Sequence, residues 1–256
     1  MSNKILLSSD SLPWYGLDHI FQIAQDSWFD WLDLALWKNF DWRNTKYVKK
    51  LVDTYHFWIE VIQVSSDVNA KELWQAIDIA QALWVIRIMI NPPKIFNMSS
   101  YRLISTVIPE IQKTHPHLIF SIINPKPSTL FILPIPKFRF SNLDDIWSKY
   151  HCSLGIDICH FDGDIMDSEF IKKIANYKDH IGAIYMWDKK WNQDYLPLDQ
   201  WTLKIASFVK KIATVWIECP LSIKYQLDKN ILADPDSIAI LFQKGILFMK
   251  DHLVSW

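Results

Sequence analysis

The sequence predicts a single (β/α)₈ barrel spanning residues 1–256, on three observations. Short β-rich runs alternate with helical patterns eight times, the length suits one barrel domain, and no shift in composition marks a second domain. In order, the expected strands are Lys4–Ser8, Trp31–Leu36, Ile59–Val64, Val85–Ile90, Leu118–Ile123, Leu154–Cys159, Ile181–Met186 and Thr214–Cys219. The segments between them carry apolar residues at helical spacing, as in Tyr101, Ile104, Ile108 and Ile111 or Ile205, Phe208, Val209 and Ile212. The last helix has the clearest start: Asp234 caps it, Pro235 suits its first turn, and Ile238, Leu241, Phe242, Phe248 and Met249 form its apolar stripe. One long connection, Pro125–Ser141, carries four prolines and follows strand five; a loop of that length in a compact domain is usually functional or mobile.

Composition excludes several partners. Half of the residues are hydrophobic, 21% are charged and the net charge is −1, so there is no electrostatic footprint for nucleic acid. The N-terminus lacks a signal-peptide pattern, and no apolar run approaches the roughly 18 residues of a membrane span. Cys152, Cys159 and Cys219 are odd in number and match no zinc spacing, which fits a reducing compartment. The reading is a soluble, cytoplasmic protein with no membrane and no nucleic-acid partner.

The chemistry of such a barrel sits at the C-terminal ends of its strands. Those ends are Asp33, Gln63, Asn91, Ile123-Asn124, Asp157 with His160, Tyr185 with Asp188, and Glu218. Gly155-Ile156-Asp157-Ile158-Cys159-His160 stands out, because a carboxylate closing a buried strand is costly unless it binds something. Val215-Trp216-Ile217-Glu218 reads as a second such strand. Asp33, Asp157 and Glu218 are therefore expected to converge with Gln63, Asn91 and Tyr185 on one mouth. Trp14, Trp37, Trp187 and Trp191 follow strands one, two and seven, where their faces either stack on a sugar ring or cover the rim. Arg87 lies about 13 Å down the barrel from Asn91, at roughly 3.3 Å per residue, and reads as part of a structural ion pair. Of the histidines only His160 is placed at the mouth, and Cys159 reads as a packed residue rather than a nucleophile.

At these residues the chain resembles the sugar phosphate isomerase/epimerase family, the xylose isomerase-like barrels that include endonuclease IV-type repair enzymes. Gly16–Phe21 through Trp31–Leu36 is similar to the family's opening, Asp157-Ile158-Cys159-His160 to its D-x-x-H strand, and Val215–Glu218 to its terminal strand. The resemblance implies a divalent metal held by a Glu on strand five, the Asp of D-x-x-H, a His on strand seven and the Glu of strand eight. Here Ile123 and Tyr185 stand at two of those places, so Asp157 and Glu218 alone remain as metal ligands, and a tightly bound divalent ion is not expected. The family's histidines at strands three and four are replaced by Gln63 and Asn91. Glycine is scarce in the loops that usually cradle phosphate, which favours an unphosphorylated ligand.

The resemblance implies an isomerase or epimerase acting on a small carbohydrate, with Glu218 as base, His160 orienting a hydroxyl and Asp157 holding the network; Trp14, Asp33, Gln63, Asn91, Asn124 and Tyr185 would contact the substrate. The alternative is a non-catalytic descendant that binds a sugar-like ligand or partner at the same mouth. Abasic-site DNA repair is opposed by the residues, since its multi-zinc cluster needs several His and Glu and the mouth offers one His.

Overall fold

The computed structural model describes residues 3–37, 40–126, 138, 143–150, 152–161, 165–190, 193–198 and 203–253. Eight parallel strands close a barrel in the order β1-β10-β7-β6-β5-β4-β3-β2. The strands are β1 (Ile5–Ser8), β2 (Trp31–Ala35), β3 (Ile59–Val64), β4 (Arg87–Ile90), β5 (Ile119–Ile123), β6 (Ser153–Asp157), β7 (Ile181–Met186) and β10 (Leu221–Ile223). A hairpin of β8 (Asp188–Lys190) and β9 (Gln193–Leu196) follows β7 at the mouth and was not foreseen. Consecutive strands pair because right-handed crossovers return each helix to the outer face. Closure comes where β10 enters between β1 and β7, with Ile5 opposite Leu221 and Ser222 opposite Tyr185.

Two glycines set how tightly the barrel packs. A methyl group on Gly155 would lie 2.5 Å from Met89 Cε and 2.9 Å from Ile123 Cγ1, and one on Gly182 would collide with the Ser121 hydroxyl. The interior is thus a layer in which Met89 and Ser121 occupy the space that these glycines leave. Outside the strands, helix starts follow their caps. Asn69 and Glu72 form a reciprocal capping box, and Asp167 accepts from the backbone of Glu169 and Phe170. The last helix, Pro235–Leu253, begins at Asp234 as expected, and Ile238, Phe242, Ile246 and Met249 are buried along it, with Leu241 and Phe248 partly so.

Seven strands lie where the sequence placed them, to within two residues at each end. The eighth does not. Thr214 ends the helix Ile205–Thr214, Val215 caps it, and Trp216 turns the chain with φ 55° while Ile217 N returns to Ile212 O. That is a helix stop of the left-handed kind, a role glycine usually takes. The strand begins only after Pro220, at Leu221. Glu218 therefore enters the barrel from below instead of closing it above. Of the long connection Pro125–Ser141, all but residues 125, 126 and 138 lie outside the described residues, as do Trp191 and His151. Among the described residues no helix is long and apolar enough to cross a membrane.

Candidate functional site

The corrected frame of β10 brings Lys224 to the C-terminal mouth, one residue past the strand. Its Nζ lies 2.7 Å from Asp10 Oδ2, on the turn Ser9–Ser11 that follows β1, and 5.0 Å from the centroid of the Tyr195 ring. Backbone bonds fix this corner: Lys224 N donates to Met186 O, Tyr225 N to Ser11 Oγ, and Gln226 N to Tyr195 O. Burial pulls the Lys224 pKa down, but Asp10, Tyr195 and Asp157 outweigh it and hold the group above its ordinary value as a fixed ammonium. A cavity of about 450 Å³ opens over this pair, lined by Asp10, Trp14, Tyr195, Lys224, Gln226 and Leu227. That volume falls in the range of small-molecule sites. Trp14, 83% exposed, forms a wall of it.

Beside the cavity lies a chain of rings. Tyr195 stacks on Trp187 at 4.0 Å, and Trp187 meets the edge of His160 at 5.9 Å. His160 Nδ1 is 2.8 Å from Asn124 O, which can only accept, so Nδ1 carries the hydrogen and Nε2 faces Asp157 Oδ2 at 3.5 Å. Burial raises the Asp157 pKa against the opposing pull of His160 and Lys224. A proton on either partner closes the pair. Asn124 is committed elsewhere: its side chain clamps the Asp157 backbone, donating to Asp157 O at 3.1 Å and accepting from Asp157 N at 2.6 Å. Asn91 likewise donates to Val64 O at 3.1 Å.

Beneath the mouth is a buried polar layer. Asp33 Oδ2 accepts from Gln63 Nε2 at 2.5 Å and Ser222 Oγ at 2.7 Å, and Gln63 also reaches Ser8 Oγ at 3.1 Å. Desolvation pushes the Asp33 carboxyl up to about 7, with Ser222, Gln63 and Lys224 opposing. Asp33 Oδ1, Gln63 Oε1 and the Tyr185 hydroxyl are buried there with no hydrogen-bond partner. Burial, with Asp33, Asp157 and Asp10 nearby, drives the Tyr185 phenol well above its usual range, so it stays a donor.

Of the residues expected at the mouth, the structure brings together Asp157 and His160, and sets Asp33, Gln63 and Tyr185 in the layer below. Glu218 is displaced. It lines cavities at the opposite end of the barrel with Lys4, Glu60 and Arg87, the last in an ion pair with Glu60. Six residues of extended chain separate it from Lys224, roughly 20 Å at 3.3 Å each. Asp10, Lys224, Tyr195 and Gln226 were missed. The signal for Lys224 was the alternation Leu221-Ser222-Ile223-Lys224 after Pro220, obscured once strand eight had been placed earlier.

No family model and no curated protein matches this sequence. Solved structures do. A xylose isomerase domain containing protein from Salmonella typhimurium superimposes with a TM-score of 0.68 over 97% of each chain at 10% identity. A 3-keto-D-glucoside 4-epimerase from E. coli gives 0.66 over 93% of this chain and 98% of its own at 11% identity, and a D-tagatose 3-epimerase-like protein 0.64 over 98% and 100% at 16%. The fold is that of the xylose isomerase-like barrels.

Within that fold the divalent metal implied by the resemblance does not fit. Ile123 has no donor atom, Tyr185 is a buried phenol held protonated, and Glu218 is at the other end of the barrel. An ammonium stands in Coulombic range of Asp157, and it repels a divalent ion. Among the described residues no group of three His, Cys, Asp or Glu could hold a metal. The positive charge that lines the mouth cavity is Lys224.

Proposed function

We propose that the protein binds a small, uncharged carbohydrate at its C-terminal mouth, in the cavity over Asp10 and Lys224, without a divalent metal. The observation that carries this reading is the cavity itself: about 450 Å³, lined by an ammonium–carboxylate pair, Gln226, the Tyr195 ring held between Trp187 and Lys224, and the exposed indole of Trp14. Polyols are held by that combination, since their hydroxyls pair with fixed donors and acceptors while their C–H faces stack on aromatic rings. The opposed charges of Asp10 and Lys224 favour a neutral ligand over a phosphorylated one. Sugar epimerases of the same fold, a 3-keto-D-glucoside 4-epimerase and an L-ribulose 3-epimerase, support the ligand class.

Conversion of the sugar is the second reading, favoured by the contact of Lys224 with Asp10. An ammonium beside a carbonyl stabilises an enediolate oxygen, and an adjacent carboxylate takes up the proton from the neighbouring carbon. Glu218 has no part in that step. The test is a thermal-shift panel of ketoses, aldoses and polyols in the presence of chelator. At least one should raise the melting temperature of the wild type and none that of Trp14→Ala to the same degree. A shift that requires added divalent metal, or no shift with any sugar, would reject the proposal. Deuterium incorporation from solvent into the bound sugar, lost in Asp10→Asn, would establish conversion.

A further inference from the structure

The lower face of the barrel carries tryptophans that the function above does not use. Trp84 is 87% exposed, Trp216 73%, Trp58 53% and Trp28 52%. All four lie on connections that lead from a helix into a strand, so they share the N-terminal end of the barrel. They enter β2, β3, β4 and β10, and around the barrel β4, β3, β2, β1 and β10 are successive neighbours. The tryptophans therefore follow one arc, interrupted at β1 by Lys4, which lies over the half-buried ring of Trp31. Inside the arc is a cavity of about 440 Å³ lined by Lys4, Trp31, Glu60, Arg87 and Glu218.

Three of these residues stand in a conformation that disfavours them. Trp28, Trp84 and Trp216 have φ of 65°, 59° and 55°, the left-handed region where glycine or asparagine is the usual occupant at a helix end. A bulky residue held there, and left in water, costs stability twice, and such strain is a feature of functional surfaces. The exposed fractions of the four rings correspond to about 400–650 Å² of apolar surface, at about 150–250 Å² per aromatic side chain. That matches the upper part of the range for the largest patch of an ordinary monomer, and is about half or more of the roughly 800 Å² that each partner gives to a stable complex.

We propose that this face is a homodimer interface, two copies of the chain packing bottom to bottom about a twofold axis. A second copy is favoured because the face is balanced in charge: Lys4 and Arg87 stand with Glu60 and Glu218, Arg87 being paired with Glu60 in its own chain, so two such faces meet without net repulsion. An acidic lipid surface or a nucleic acid would call for a cationic face instead. Tryptophan is among the residues most enriched at interface hot spots. The arrangement leaves both mouths facing outward and open to ligand.

The test is sedimentation equilibrium on the full chain, wild type beside the double variant Trp84→Gly with Trp216→Gly, and beside Trp58→Lys, whose backbone is ordinary. The wild type should be a dimer at micromolar concentration. Both variants should associate at least about 100-fold more weakly, the loss expected when hot-spot tryptophans are removed. The glycine variant should also melt no lower than the wild type when both are diluted to monomer, because glycine relieves the left-handed strain. Such a combination distinguishes a lost interface from a lost fold. A wild type that stays monomeric, or dimers that persist in both variants, would overturn the proposal, and so would a monomer that floats with vesicles of zwitterionic lipid. None of these outcomes bears on sugar binding at the mouth, so the two proposals fail separately.

Discussion

Asp33→Asn is predicted to stabilise the protein at neutral pH, and increasingly so as the pH rises from 5 to 8. Asp33 is fully buried; one of its oxygens accepts from Gln63 and Ser222, and the other has no partner. Its carboxyl is raised to about 7 by desolvation, against about 4 in an unfolded chain. The folded state thus keeps a proton that the unfolded state releases. The contribution of the group to stability is fully present below pH 4 and is lost as the pH rises through 7. Three units at about 1.4 kcal/mol each amount to about 4 kcal/mol across the whole window, of which about 2–3 kcal/mol falls between pH 5 and 8. Asparagine retains an oxygen for Gln63 and Ser222 and carries no charge to desolvate. Urea unfolding of both proteins at pH 5, 6, 7 and 8 reads the effect directly. A stability difference that does not change with pH, or a variant less stable than wild type at pH 8, would refute the reasoning.

Lys224→Met should cost about 3–5 kcal/mol, because it strands the largely buried carboxylate of Asp10; adding Asp10→Asn should restore most of it, as measured by denaturant midpoints. Gly182→Ala should cost about 1–3 kcal/mol, since the added methyl meets Ser121 inside a closed barrel, and Ser121→Gly in the same chain should recover part of the loss in a melting experiment.

The sequence made seven strands legible because each is an apolar run bounded by polar or turn residues, and Asp33 within strand two and Asp157 at the end of strand six were found with them. Strand eight failed for a local reason. Thr214-Val215-Trp216-Ile217 is rich in β-formers, yet its first residue ends a helix and Trp216 closes that helix in a left-handed turn that gives no glycine signal. The true strand has three residues behind a proline, too short for a pattern to emerge. That single displacement put Glu218 at the mouth and hid Lys224, and with it the only cation there among the residues that line the cavity. Tyr195, at φ 59° in β9, was invisible for the same reason as Trp216. Asn91 and Asn124 show another limit: their positions were read correctly, but spacing does not reveal that their amides are taken by Val64 and Asp157 backbone groups.

The central claim is that the ligand site lies over Asp10 and Lys224 at the C-terminal mouth and not at the Glu218 end. Calorimetric titration of the sugar that most raises the melting temperature, into wild type, Trp14→Ala and Glu218→Gln, tests it most directly. The account predicts about two- to tenfold weaker binding in Trp14→Ala, the loss of one aromatic wall at about 0.5–1.5 kcal/mol, and an unchanged affinity in Glu218→Gln. Equal affinity in Trp14→Ala together with loss of binding in Glu218→Gln would contradict it.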